Sequence, residues 1–161
     1  MKESKQRYLI TTADELTWKL DRPVLFLGEW CRLYSRRHVW SALDHLVLPH
    51  RWSDQQQLRS DYVELSSLNE RLIIALAEKM NAIHGVEKPL RFWRILIGPW
   101  LIYFVQIVFD RWTSVSSALA NYSLSGTTLI DYSDESMIPR DMEHFCELFQ
   151  RDDWKHHIYK K

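Results

Sequence analysis

Val24-Leu-Phe-Leu27 is an unbroken apolar run with Pro23 before it and Gly28 after it. A strand with one wet face alternates apolar and polar residues. A strand that is apolar at every position must be covered on both faces, as in a parallel sheet flanked by helices. The run therefore places the chain in the α/β class. A second β-type run, Tyr8-Leu-Ile-Thr11, precedes it. Between the two, Thr12-Ala-Asp-Glu15 has the pattern of a capping box and predicts a helical turn, and Asp21-Arg-Pro23 breaks the chain. Val47-Leu48, ending at Pro49, and Thr127-Thr-Leu-Ile-Asp131 are further strand candidates.

The rest of the pattern is helical. Ser35 to Leu46 is mildly so, with Val39, Ala42, Leu43 and Leu46 able to share a face. Ser53 is a predicted cap, with Gln56 in the box position. It opens a stripe of Leu58, Tyr62, Leu65, Leu68, Leu72, Leu76, Met80 and Ile83, spaced by three or four residues and stopped by Gly85. Pro89 opens a second helical region reaching about Tyr122, with a bend expected near Gly98-Pro99. Its middle, Ile95–Phe109, is nearly all apolar and is expected deep in the core. That segment has 15 residues, short of the ~20 of a spanning helix, so a buried core helix is favoured over a membrane span. Further helices are predicted from about Arg140 to Gln150 and from Asp152 onward. The expected fold is a short parallel sheet with long, partly buried helices. No repeat, linker or low-complexity segment divides residues 1–161, which read as one domain. The last helix meets the end of the chain at Lys160-Lys161 without Gly or Pro. Such an end fits a fragment of a longer protein and a frayed natural terminus equally well.

Lys+Arg and Asp+Glu both number 21, so net charge gives no reason to expect a nucleic-acid partner. Eight Trp residues beside only 4 Gly point either to a large aromatic core or to a site that stacks ring-shaped ligands. Cys31 and Cys146 are lone thiols, which suits a reducing compartment. The N-terminus lacks the apolar stretch of a signal peptide, and a cytoplasmic location is expected. No Cys/His cluster has metal-site spacing, and adjacent His156-His157 do not share a helix face. No cofactor and no metal are expected.

Ligands of open α/β sheets gather beyond the carboxyl ends of the strands. The turn after Val24–Leu27 is therefore the leading site. Gly28 permits close backbone approach or positive φ, Glu29 can accept from hydroxyls or act as a base, Trp30 can stack, and Arg32 and Arg37 can clamp phosphate. The competing reading is a hydrated basic turn with one salt bridge. His50 and Trp52 follow Val47-Leu48 on the same edge, with His50 a second candidate base or a satisfied loop histidine. Asp131, at the end of its strand, is either a similarly placed site residue or a cap. In the Arg91-Phe-Trp-Arg94 and Pro99-Trp100 segments, Arg94 and Trp100 belong either to an anion site or to an ion-paired structural region, with Glu70 or Asp110 as partner. No GxGxxG, GxSxG, HExxH or P-loop is present, so these residues alone name no reaction.

Leu9-Ile-Thr-Thr-Ala, Pro23-Val-Leu-Phe-Leu-Gly-Glu-Trp-Cys-Arg-Leu-Tyr34, Ile83-His-Gly85, Arg94-Ile-Leu-Ile-Gly-Pro-Trp-Leu101 and Asp110-Arg-Trp112 together resemble the N-terminal region of a bacterial transferase family. Its members occur in O-antigen and other surface-polysaccharide gene clusters. The resemblance runs from Tyr8 to Tyr159. It implies a Rossmann-like half domain on the acceptor side of a longer, glycosyl-type transferase, inactive alone, with a nucleotide-activated sugar and a polysaccharide acceptor as the partners of the whole enzyme. Glu29, Trp30, Arg32 and His50 would line its cleft. The alternatives are a non-enzymatic sugar- or nucleotide-binding module and a protein that contacts membranes peripherally through Ile95–Phe109.

Overall fold

The computed structural model describes residues 5–160. The Met1–Ser4 stretch weighed above for a signal sequence and the terminal Lys161 lie outside the described residues. The chain forms two compact units, one from the residues up to His50 together with those from Arg111 onward, the other from Arg51–Asp110.

The first unit is built on a four-stranded sheet of β1 (Arg7–Ile10), β2 (Val24–Phe26), β3 (His45–Val47) and β4 (Leu124–Thr127), in the order β3-β2-β1-β4. Every pairing is parallel, with Leu9 opposite Leu25 and Leu25 opposite Leu46. Val24, Leu25 and Phe26 are all 0% exposed, so both faces of β2 are covered, as its composition requires. This is a helix-rich α/β fold compatible with a Rossmann-like half domain. Around the sheet lie α1 (Arg37–Trp40), α4 (Asp134–Met137), α5 (Met142–Leu148) and α6 (Asp152–Lys160).

Two strands differ in extent from the pattern-based expectation. β3 starts at His45 rather than Val47, because the His45 ring packs edge-on against Phe26 and Trp40 at 5.7 and 5.9 Å and so behaves as a core aromatic. β4 is Leu-Ser-Gly-Thr, upstream of the β-rich residues 127–131. Gly126 has φ 145° and lies against the Tyr8 ring, and the Thr127 hydroxyl donates to the Leu9 carbonyl at 2.8 Å. Tertiary contacts, not β propensity, make that strand. At the amino ends of the strands, the buried Arg7 guanidinium bonds the Asp44 carboxylate at 3.0 Å and the Val24 carbonyl at 3.4 Å, tying β1, β2 and the turn into β3. Lys5 shares Asp44, and these bonds hold the Asp44 carboxyl below its usual range.

The second unit consists of α2 (Gln55–His84) and the first two-thirds of α3 (Leu90–Asn121). Asp54, not Ser53, caps α2, its carboxylate accepting from the Gln56 and Gln57 amides. Gly85 ends the helix in the left-handed conformation, φ 61°. Asn81 then brackets the turn: its side chain accepts from the Lys88 and Trp93 N–H groups and donates to the Lys88 carbonyl. Leu65, Ile73, Ala77, Trp93 and Leu101 form the buried seam of this helical hairpin.

α3 departs from the expectation of deep burial. It runs unbroken through Gly98-Pro99 for 32 residues, with a mean hydropathy of 1.6 in its most apolar window, of which 17% is buried. It is the one helix among the described residues long and apolar enough, by length and composition, to cross a membrane. Trp93, which bonds Asn81 of α2, and Gly98 and Leu101 are buried, whereas Phe92, Ile95, Leu96, Ile102 and Tyr103 form an exposed stripe. One neighbouring helix covers one side only, so an all-round apolar composition leaves an uncovered face.

Candidate functional site

A parallel sheet puts all its carboxyl ends on one edge. Here the residues just past those ends are Thr11, Gly28 to Trp30, His50 and Thr128. The chain steps outward from β1 to β3 and then returns to the far side of β1 at β4, which makes the β1/β4 boundary a topological switch point.

Trp30 organises this edge. Its indole N–H donates to the Thr11 carbonyl at 3.1 Å, joining the end of β2 to the end of β1. His50, past β3, lies edge-on to the same indole at 6.3 Å. The Arg111 guanidinium sits 4.8 Å over the ring and also 5.8 Å over Tyr159 of α6. Three strand ends and α6 thus converge on one side chain. Gly28 is what makes room for it. Its backbone is extended, φ 179°, so left-handed geometry is not the reason for glycine. A Cβ there would lie 2.1–2.4 Å from Trp30 ring carbons. The close approach at Gly28 is made by the chain's own indole. Gly28→Ala is therefore expected to displace a ring that is both hydrogen-bonded and stacked, at a cost of about 1–3 kcal/mol. Thermal unfolding should show a Tm lower by several degrees, and an unchanged Tm would mean the indole swings away freely.

Glu29 is exposed and gives both carboxylate oxygens to Arg32 Nη2, one at 2.6 Å. Arg32 is held further by Trp40, 4.7 Å below its guanidinium, and by His45 Nε2 at 3.2 Å. Arg37 is exposed, its guanidinium 5.7 Å from the Tyr34 ring. Cys31 is buried against the Ile10 carbonyl, and burial pushes its thiol up to about 12, which leaves no reactive thiolate.

The remaining expected residues fall in the second unit. Trp52 donates its indole N–H to Asp61 at 3.0 Å. Arg94 bonds both oxygens of Glu70 at 2.5 and 2.8 Å, the ion-pair alternative for that residue. Trp100 stacks on Phe104 at 4.9 Å. A cavity of about 410 Å³ opens between α2 and α3, bounded by Trp52, Tyr62, Asn69 and Ile102 among others.

Several further residues lie at the sheet edge, of which only Asp131 was marked in sequence as a site residue or cap. Thr11 is buried and its hydroxyl has no partner among the described residues. Tyr132 donates to Asp14 at 3.3 Å, and these residues close the β1/β4 boundary. His156, on α6, accepts from the Ile130 amide at 2.7 Å and meets Tyr132 edge-on at 6.0 Å. Burial lowers its pKa, and an accepting Nε2 fixes the neutral ring with its proton on Nδ1. Asp131 pairs with Lys160, the last described residue of α6. Only the spatial return of α6 to the sheet brings these groups together, and no local spacing encodes that.

The sequence profile of the LIC12162 family transferases matches residues 7–161, nearly the whole chain. The chain belongs to that transferase family. No curated protein and no solved structure matches it. In open α/β sheets ligands gather beyond the carboxyl ends of the strands, the edge on which Trp30 lies.

Proposed function

We propose that this chain is the acceptor-side half of a glycosyl-type transferase of the cytoplasm, working in bacterial surface-polysaccharide or O-antigen assembly, with the activated donor held by a further part of the enzyme. The observation that supports the reading best is the convergence of three parallel strand ends on Trp30, with His50 and Glu29 beside them, in a chain that belongs to a transferase family. In glycosyl transfer the acceptor oxygen bonds the anomeric carbon, the bond to the leaving diphosphate breaks, and the acceptor proton passes to a base. His50 is the base in this proposal, because both oxygens of Glu29 are already shared with Arg32. Glu29, exposed and oriented by that ion pair, binds acceptor hydroxyls. Trp30 fixes His50 in place, and Arg32 fixes Glu29. The diphosphate of the leaving group is stabilised by cationic groups or a helix terminus on the donor side.

The test uses the intact transferase with nucleotide-activated sugars, following release of the nucleoside diphosphate. Donor consumption that depends on a saccharide acceptor is the expected result. Glu29→Gln should raise the acceptor KM about tenfold, the weight of a charge-assisted hydrogen bond, with kcat little changed. Unchanged KM would remove Glu29 from the site, and failure to consume any sugar nucleotide would sink the reaction class.

A further inference from the structure

We propose that the exposed stripe of α3 rests on the surface of an anionic lipid bilayer. No residue of the sheet edge takes part, so the inference stands or falls apart from the transfer reaction.

Phe92, Ile95, Leu96, Pro99, Ile102 and Tyr103 share one face of α3, because they are spaced by three or four residues along it or stand side by side. All six are exposed, Ile95 by 69% and Leu96 by 61%. The row runs about 16 Å along the helix axis. Single apolar residues on a surface are ordinary, but a contiguous row of them marks a face that meets something apolar.

Two features select lipid as that partner. The first is the lack of polar groups. From Phe92 to Ile102 the face carries no side-chain donor or acceptor, and the Tyr103 hydroxyl is the first. A protein interface carries about one hydrogen bond per 100–200 Å², whereas the acyl boundary of a bilayer asks for none. The second is charge. Residues 88–109 contain Lys88, Arg91 and Arg94 and no acid. Arg94 is bonded to Glu70. Lys88 and Arg91 are exposed and pair with no carboxylate among the described residues. Lys88 Nζ lies 5.6 Å over the Phe92 ring, so its ammonium sits at the border of the apolar row. With Glu87 counted, that end of the row is still net positive. Lipid phosphates lie at the same border, just above the acyl chains.

The helix lies on the bilayer and does not cross it. Trp93 and Arg94 are bonded to Asn81 and Glu70 of α2. A span would take that helix along, with its exposed Arg59, Glu64, Arg71, Glu78 and Lys79, into hydrocarbon.

Flotation of the full chain with vesicles tests this, using phosphatidylcholine alone or mixed with about one-third phosphatidylglycerol. The chain should float with the anionic vesicles at low salt. High salt should weaken the binding, and alkaline carbonate should strip it. Leu96→Gln should weaken binding about tenfold. Lys88→Gln with Arg91→Gln should weaken it about thirtyfold on anionic vesicles. These side chains are exposed, so Tm should stay at the wild-type value in both variants. Leu16→Gln, at a position 82% exposed in the first unit, is the control and should float like the wild type. Four results would overturn the proposal. They are no flotation with anionic vesicles, equal losses for Leu16→Gln and Leu96→Gln, retention after carbonate, and a lipid-free dimer that Leu96→Gln breaks. The third would make α3 a span, and the fourth would give its row to a second copy of the chain.

Discussion

Asp61→Ala is expected to destabilise the protein by about 3–5 kcal/mol, the range for breaking one side of a buried ion pair. Asp61 is a carboxylate on a long helix, with its side chain 2% exposed. It accepts four hydrogen bonds, from Arg51 Nε at 2.6 Å, Arg51 Nη2 at 2.9 Å, Gln57 Nε2 at 2.8 Å and Trp52 Nε1 at 3.0 Å. Truncation leaves all four donors without their acceptor. The Arg51 side chain is 39% exposed and can turn to water, so the lower end of the range applies. Acid should act in the same direction. The Arg51 hydrogen bonds, with smaller contributions from Gln57 and Trp52, hold the carboxyl at about 2 against the opposing effect of burial. A carboxyl whose folded value lies below its unfolded 3.8 contributes stability above about pH 4. That contribution, about 2 kcal/mol, is lost as pH falls toward 2. Urea unfolding at pH 7, 4 and 2.5 should show this loss in the wild type, and Asp61→Asn should flatten that part of the curve. An equal acid slope in the variant would mean that another group carries it.

His50→Ala in the intact transferase is expected to lower kcat by about 10²-fold or more, the usual contribution of a positioned base. The acceptor KM should change little, because the imidazole is assigned to the proton and not to ground-state binding. A merely structural His50, wedged against Trp30, would lower Tm and leave kcat close to the wild-type value at temperatures well below that Tm. The two measurements together therefore separate catalysis from packing.

What the sequence disclosed depended on whether the signal was local. The Val24–Leu27 run demanded burial on both faces, and the sheet supplies it. The α2 helix and its Gly85 stop were likewise legible, because both are written at helical spacing, but its buried seam was not: Ile73 and Ala77 lie outside the expected stripe, while Leu58, Tyr62 and Ile83 within it are exposed. Asp61 was not singled out, although it lies three residues after Leu58 and four before Leu65, where a buried acid must find donors. The exposure of α3 was not legible, since an all-round apolar helix carries no mark of which side its neighbour takes. At the sheet edge, Gly28 and Trp30 could be read as a turn next to a ligand. That the ring comes back over its own glycine depends on Thr11 and Arg111, which are distant in sequence. Asp14 was read only as part of a capping box, His156 only as half of an adjacent pair and Tyr132 not at all, for the same reason.

The order of the strands also bears on how the chain reaches this structure. The α2–α3 hairpin is held by contacts across a short turn and costs little loop entropy to close. β4, by contrast, pairs with β1 at Arg7 and Leu124, across most of the chain. β4 is therefore expected to dock last, whether during synthesis or on refolding. Until it does, β1 has a bare outer edge, open to pairing with a strand of another molecule. Losses during refolding should consequently rise with protein concentration, and dilution should recover them.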